Sequence, residues 1–366
     1  MRVLLTGGGT GGHIYPALSM MRAIKAKYPN ATFLYIGTPD GLESKIVPSS
    51  APEIEFKSVK VSGIRRSLSL ENFKTLYQFL TSIRISKKYI KEFDPDIVIG
   101  TGGYVCGPVV YGAAKLKYKT VIHEQNSLAG ITNKFLARYV DKILICFDES
   151  RKYFPADKTV LTGNPRASEV VGTLKIGKTA LGLNAHKKTV LICGGSRGAR
   201  PINEAFISMV DKYEKADFEV VFATGEVHYE SICEQIENVE ALKNVKVMPF
   251  IADMPKFLVS IDLFVGRAGA TSLSEITALG IASILIPSPY VAENHQEFNA
   301  RSVTDHGGGT LILERDLTGE VLYNEIKRLL SDEENLSSMK DATKKLGIPD
   351  ASTRILSVID ELVSGD

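Results

Sequence analysis

Two glycine-rich turns, each directly after a short apolar strand, carry the clearest chemistry in this sequence: VLLTGGGTGGHIYP (3–16) and VLICGGSRGAR (190–200). Each reads as a strand, a turn without side-chain bulk, and then a helix, so the first helical amides lie bare at the strand's carboxyl end. Bare amides at the positive end of a helix dipole hold anions, phosphates above all. Other polar residues with chemical potential also fall just after apolar runs: His13, Gly102, Gly103 and Tyr104, then His123, Glu124, Gln125 and Asn126. Asn164 and Arg166, Ser196, Gly269, Glu275, and His295 with Gln296 follow the same rule. Singly, each could be a cap or a satisfied buried polar group. As a set they offer amides for phosphates, an arginine for charge, a carboxylate for hydroxyls and an imidazole for proton transfer.

The elements that must position these residues are legible as alternation. Strand signals recur at 31–37, 96–103, 119–125, 141–147, 189–195, 218–225, 245–250, 262–269 and 282–288, with helical stretches between most of them. Alternating strands and helices imply an α/β chain with parallel sheets, and continuous apolar strands imply sheets covered on both faces. A glycine-rich turn near the head of each half implies two Rossmann-like domains facing a shared cleft. The expected domains are 1–164 and 165–340, divided near Gly163-Asn164-Pro165, where Asn-Pro favours a turn. A helical tail, 341–366, is expected to pack back on the N-terminal domain, with Leu356, Ile359 and Leu362 at helical spacing.

Composition narrows the class. At 366 residues and 44% apolar content the chain can fill two cores. Its 44 basic and 42 acidic residues leave a net charge of +2, far from the basic signature of a nucleic-acid binder. Cysteines at 106, 146, 193 and 233 are too widely spaced for a zinc ribbon and suit a reducing compartment. No signal peptide is expected, since the chain runs at once into strand 3–5, and no apolar run approaches the ~18 residues that span a bilayer.

Three short motifs invite other readings. Gly7, Gly9 and Gly12 satisfy the GxGxxG dinucleotide fingerprint, but the second strand ends Tyr35-Ile36-Gly37-Thr38, without the acidic residue that would hold a ribose. GTLKIGKT (172–179) matches the P-loop expression, yet it follows no strand, contains bulky Leu174 and Ile176, and opens no substantial helix. Asp94-Pro95-Asp96 resembles a metal-holding DxD pair, but it precedes a strand and so lies across the sheet from the ligand edge. The expected site therefore holds no metal and no cofactor.

The motifs GGTGGHIYPA (8–17), IGTGGYVCGP (99–108), HEQN (123–126), GNPR (163–166), GGSRGA (194–199), PFIADM (249–254), RAGATSLSE (267–275) and HQEFNA (295–300) run in order through nearly the whole chain. Together they closely resemble the MurG family of GT-B glycosyltransferases, which use UDP-N-acetylglucosamine (UDP-GlcNAc) and lipid I in peptidoglycan synthesis. The resemblance implies a GT-B fold and an inverting transfer of GlcNAc to the C4 hydroxyl of MurNAc, giving lipid II. It assigns the donor mainly to the second domain: Ser196 to the diphosphate, Ile251 to uracil and Glu275 to the ribose. Ala270, Thr271, Ser272, Leu273 and Ser274 form the surrounding helix start, and Gln296 meets the sugar hydroxyls. Thr10, Gly11, Gly12, Asn126 and Arg166 would close over the donor from the first domain. Gly102, Gly103 and Tyr104 fall to the acceptor side, and His13, with Glu124 as rival, to the base. Family members often carry Gln where this chain has Arg197, whose role stays open.

A lipid acceptor implies an anionic membrane surface as partner, on the cytoplasmic side, with other cell-wall synthesis proteins as candidate partners. Helix 71–92 offers an interfacial face in Phe73, Leu76, Tyr77, Leu80 and Ile83. Arg65, Arg66, Lys74, Arg84, Lys87, Lys88 and Lys91 surround it, although an ordinary amphipathic core helix would look the same. Two other functions fit the donor motifs: a transferase acting on another acceptor, and a nucleotide-sugar sensor that closes without transfer. The first-domain residues His13, Tyr104 and 123–126 argue for an acceptor side.

Overall fold

The computed structural model describes residues 1–61, 71–195 and 197–365, with the backbone alone for 71–74 and 76. The chain forms two compact units, Met1–Arg166 joined by Asp350–Asp366, and Ala167–Pro349.

The first unit is built on strands β1 (Arg2–Thr6), β2 (Thr32–Gly37), β3 (Glu55–Ser58), β4 (Ile97–Gly100), β5 (Lys119–Glu124), β6 (Lys142–Ile145) and β7 (Thr159–Leu161). Its helices are α1 (Gly11–Lys27), α2 (Glu43–Ser50), α3 (Glu71–Phe93), α4 (Cys106–Lys115), α5 (Ile131–Leu136) and the start of α6 (Pro165–Val171). The strands lie in the order β3-β2-β1-β4-β5-β6-β7, and every pairing is parallel. Alternate residues of a strand face opposite sides. Val3 and Leu5 therefore join Ile14 and Leu18 of α1 on one face, while Leu4 and Val98 join Val109 and Val110 of α4 on the other. Burial on both faces is what makes these strands read as unbroken apolar runs.

The second unit repeats the plan with β8 (Thr189–Cys193), β9 (Glu219–Ala223), β10 (Val245–Met248), β11 (Leu263–Gly266), β12 (Ala282–Leu285) and β13 (Gly309–Leu311). Their order is β10-β9-β8-β11-β12-β13, again all parallel. Around them lie α7 (Arg200–Ile207), α8 (Val210–Glu214), α9 (Glu226–Gln235), α10 (Met254–Leu258), α11 (Ala270–Leu279), α12 (His295–Thr304), α13 (Gly319–Ser331) and α14 (Glu333–Leu346). Strands β3 and β13 went unread in the sequence because both are sheet edges, only partly buried and without an apolar run.

In each unit the winding reverses at the centre, between β1 and β4 and between β8 and β11. Loops leaving two such strands diverge to opposite faces, and the crevice between them is where open α/β sheets take ligands. Both glycine-rich turns sit at these reversals.

The last helix, α15 (Ala351–Ser364), belongs to the first unit. It packs on α1 through Ile355, Val358, Ile359 and Leu362, and Asp360 accepts a 2.6 Å bond from the Tyr28 hydroxyl and pairs with Lys27. The returning segment begins at Asp350, later than the 341 drawn from sequence. The reason is α14, which shares the amphipathic pattern but stays in the second unit, where the Thr343 hydroxyl bonds Gly308 O at 2.7 Å.

Candidate active site

In the first unit the turn after β1 and the turn after β4 are laced together. Gly8 N donates to Gly102 O at 3.2 Å, and the Thr101 hydroxyl donates to His13 O at 2.8 Å. Glycine is obligatory here. A Cβ on Gly103 (φ +84°) would sit 2.4 Å from Gly8 O, and one on Gly102 (φ +112°) would sit 2.7 Å from the His13 ring. His13 lies in the first turn of α1, behind the extended N-cap Thr10, whose side chain makes no capping bond. The ring's Nδ1 is 2.8 Å from Gly8 O. A carbonyl only accepts, so Nδ1 carries a proton, and whenever the ring is neutral the lone pair is on Nε2. Tyr104, 64% exposed, stands at the mouth of the same turn. Thus Thr10, Gly11, Gly12, His13, Gly102, Gly103 and Tyr104 come to one reversal point of one sheet.

The loop after β5 is organised from within. Glu124 is buried, and its carboxylate accepts bonds from Asn126 N at 3.0 Å, Asn126 Nδ2 at 3.2 Å, Gly130 N at 2.9 Å and Asn133 Nδ2 at 2.9 Å. Four donors fill the acceptor capacity of a carboxylate. Next to it His123 is fully buried, with Nδ1 accepting from Gln125 Nε2 at 2.8 Å and Nε2 donating to Gly163 O at 3.1 Å. Burial lowers its pKa to about 4, so the ring is neutral. Gln125 Nε2 also donates to Thr101 O at 2.8 Å, and Asn164 Oδ1 accepts from Arg166 N at 3.1 Å. These bonds tie the segments 101–104, 123–126 and 163–166 into one network that sets where Asn126 and Arg166 lie.

In the second unit the turn after β8 holds Gly195 (φ +93°) and Gly198 (φ +72°). A Cβ on Gly198 would meet Thr224 O at 2.1 Å, which brings the β8 and β9 turns into backbone contact. Ser196 lies outside the described residues, and Arg197 is exposed. After β11, α11 starts behind extended Gly269, again without a side-chain cap. Ala270, Thr271 and Ser272 form its first turn; the Thr271 hydroxyl is buried without a partner among the described residues. Leu273 is fully buried and the Ser274 hydroxyl bonds Ala270 O at 2.8 Å, so those two side chains serve the helix itself. Glu275 and Ile251 are buried as well. Gln296, in the first turn of α12, accepts from Ser288 N at 2.9 Å through its carbonyl oxygen, which orients its amide group. Asn299 Nδ2 reaches Ala268 O at 3.2 Å and couples α12 to the β11 turn.

Three supporting residues were given no role from the sequence. Arg267 donates to Ile286 O at 3.1 Å and pairs with Glu314, fastening the β11 and β12 ends. Asn133 completes the Glu124 cluster. Glu43, the first residue of α2, buries its carboxylate beneath the first glycine turn. Nothing at 38–43 announces a buried acid, since acidic residues are common in the first turn of solvent-facing helices.

Among the described residues no His, Cys, Asp and Glu cluster could hold a metal ion. The aspartates of 94–96 are at the amino end of β4, where Asp96 accepts from Arg2 N at 2.7 Å and Asp94 from the Tyr118 hydroxyl at 2.8 Å. On α3, Tyr77 is 71% and Leu80 58% exposed, with Ile83 half-buried. Leu80, Ile83, Arg84, Lys87, Lys88, Lys91 and Glu92 line one shallow hollow. Arg65 and Arg66, and the side chains of Phe73, Lys74 and Leu76, lie outside the described residues.

Comparison with known proteins agrees along the whole chain. Residues 3–145 match the glycosyltransferase family 28 N-terminal domain, and residues 189–355 match the glycosyltransferase family 28 C-terminal domain. A UDP-N-acetylglucosamine–N-acetylmuramyl-(pentapeptide) pyrophosphoryl-undecaprenol N-acetylglucosamine transferase of Bacillus cereus is 55% identical over 364 residues, covering 99% of this chain and 100% of its own. The transferase of that name from Bacillus subtilis is 53% identical, covering 99% of both chains. The crystal structure of Acinetobacter baumannii MurG superposes with a TM-score of 0.78 at 26% identity, over 98% of this chain and 99% of that one. With both family domains matched and whole-length relatives above half identity, the chain belongs to glycosyltransferase family 28 and, within it, to the MurG N-acetylglucosaminyltransferases.

Proposed function

We propose that this enzyme transfers GlcNAc from UDP-GlcNAc to the C4 hydroxyl of MurNAc in undecaprenyl-pyrophosphoryl-MurNAc-pentapeptide, lipid I, and so makes lipid II. The observation that carries this is identity of 55% over the full length of a relative named for that transfer. Inversion from an α donor to a β1,4 bond is a single displacement. The hydroxyl oxygen forms a bond to the anomeric carbon, the bond from that carbon to the UDP oxygen breaks, and its electron pair leaves with UDP. The hydroxyl proton passes to a base.

His13 is that base in our reading. Its Nδ1 is proton-bearing against Gly8 O, which puts the lone pair on Nε2. Glu124 suits the role less well, because four donors already occupy its carboxylate. It supports Asn126 instead. For the donor, the first-turn amides of α11 and the β8 turn offset the diphosphate charge, and the Thr271 hydroxyl adds a donor. The fixed carbonyl of Gln296 leaves its amide group to meet sugar hydroxyls. Ser196, Arg166, Glu275 and Ile251 keep their proposed donor roles, and Gly102, Gly103 and Tyr104 their acceptor role.

The lipid acceptor is met at an anionic, cytoplasmic-side membrane surface through α3, with cell-wall synthesis proteins as candidate partners. Support comes from exposed Tyr77 and Leu80 beside Arg84, Lys87, Lys88 and Lys91, and from Phe135 of α5, whose ring lies 6.4 Å from that of Phe79. No helix among the described residues is long and apolar enough to cross a membrane.

The decisive assay incubates the protein with UDP-GlcNAc and a short-chain lipid I analogue, with and without EDTA, following UDP release and disaccharide-lipid mass. Product in both arms is expected. Donor binding without product, with magnesium present and acceptors varied, would overturn the reading in favour of a sensor or another acceptor.

A further inference from the structure

The carboxylate of Glu43 has no place in the reaction as described, yet it is fully buried directly under the catalytic turn. Its Oε2 accepts from Gly9 N at 3.0 Å; its Oε1 accepts from Thr38 N at 2.9 Å and the Thr38 hydroxyl at 2.6 Å. Glycines make the room: a Cβ on Gly8 would lie 2.4 Å, and one on Gly41 2.5 Å, from Glu43 Oε1. Burial pushes this acid's pKa up, but bonds from the Thr38 hydroxyl and the Gly9 amide outweigh it and hold the group below the ordinary range, so it is an anion.

Gly9 N and Gly8 O belong to the same peptide group. A trans peptide is planar, and its N–H and C=O point in opposite directions. The N–H donates to Glu43 on one side, and the C=O accepts from His13 Nδ1 on the other. The sequence of contacts is therefore carboxylate, peptide N–H, peptide C=O, imidazole N–H. An anion at one end polarises each bond in such a chain toward the next. An acid beside an imidazole fixes its tautomer and stabilises the imidazolium that forms on proton transfer.

We infer that Glu43 is a positioning residue for the transfer, acting on His13 through the single peptide Gly8–Gly9 rather than by direct contact. The inference rests on His13 being the base. It explains why this glycine turn spends an amide on an internal acid: the amide of Gly9 is used to orient the imidazole, not to hold a ligand phosphate.

The test is a double-mutant cycle of Glu43→Gln and His13→Ala, with donor KM, kcat and its pH profile. Glutamine keeps the size, but it turns an NH2 toward Gly9 N–H or Thr38 N–H, since those donors use different oxygens. Expected for E43Q are a fall in kcat of at least about tenfold, donor KM within about twofold, and an acid limb displaced to lower pH. In the H13A background the same change should have little further effect. An equal loss in both backgrounds, or wild-type kcat in E43Q, would overturn the inference. Ring 15N shifts in histidine-labelled protein, with His13 assigned by its loss in H13A, read the tautomer without any turnover. E43Q should move His13 away from the Nδ1-protonated form; an unchanged spectrum also counts against the relay. Near-normal turnover in H13A alone would sink the base assignment instead, and the 15N spectrum would still decide whether Glu43 sets the ring. Should E43Q not accumulate folded, Glu43→Asp, a methylene short of Gly9, carries the same cycle.

Discussion

Two histidines in the first unit, His13 and His123, are treated by chemistry in opposite ways. His13 stands in the first turn of α1 with Nδ1 held by a carbonyl, whereas His123 is sealed inside the sheet edge between Gln125 and Gly163. Burial pushes His123 from 6.5 to about 4, so its protonation is tied to folding. Between those values the unfolded chain binds a proton that the folded chain refuses, so stability falls as pH drops from 6.5 toward 4 and is unaffected above. The loss is on the order of 3 kcal/mol by pH 4 from this residue. Melting curves between pH 7 and 4 should show the decline. His123→Asn should start lower at pH 7 but decline less steeply; an unchanged slope would assign the acid sensitivity elsewhere.

At the scale of elements, the turns matter through their backbones. Gly103 and Gly198 let one loop touch the next with no side chain between them, and the hydrogen bonds of Thr101, Gln125 and Glu124 then fix the result. Helix α3 is the element whose polar and apolar faces leave a surface to interpret. Its inner side packs Ile90 and Ile85 with the α4 residues, so the exposed Tyr77 and Leu80 are surplus to the core. Replacing both with Ser should reduce sedimentation with anionic vesicles while leaving UDP-GlcNAc binding intact. Each Lys87→Gln or Lys88→Gln change should weaken it further, by about 1 kcal/mol per lost cation. Equal sedimentation on anionic and neutral vesicles, unaffected by these changes, would make α3 an ordinary surface helix.

Over the whole molecule, the first unit is closed by a segment far away in sequence. Ile355, Val358, Ile359 and Leu362 of α15 are buried against α1, at about 1.5–3 kcal/mol per side chain. Their sum is comparable with the entire stability of a typical domain. Truncation after Pro349 should therefore leave the first unit unfolded. Ile359→Ala should cost about 2–5 kcal/mol there, and hydrogen exchange resolved by peptide should show that loss in 1–166 while 167–349 keeps its protection. Uniform loss across both units would mean that they share one cooperative transition.

The repeated plan is legible in the order of residues alone. Apolar strands buried on both faces write themselves as continuous runs, and glycine turns after β1 and β8 mark helix starts whose first amides lie bare. Edge strands β3 and β13 were silent because half-exposed strands need no apolar run, and the return of the chain at Asp350 was hidden because α14 and α15 share one amphipathic pattern. His13, Gly102 and Gly103 were readable as candidates, since their types and positions after strands imply chemistry. Partnership between side chains emerges only in the folded chain. Glu124 is spent on four local donors, and Glu43 reaches His13 through the opposite side of a peptide. A hydrogen bond depends on distance and direction in space, and neither is written in the spacing of residues 13, 43 and 124 along the chain.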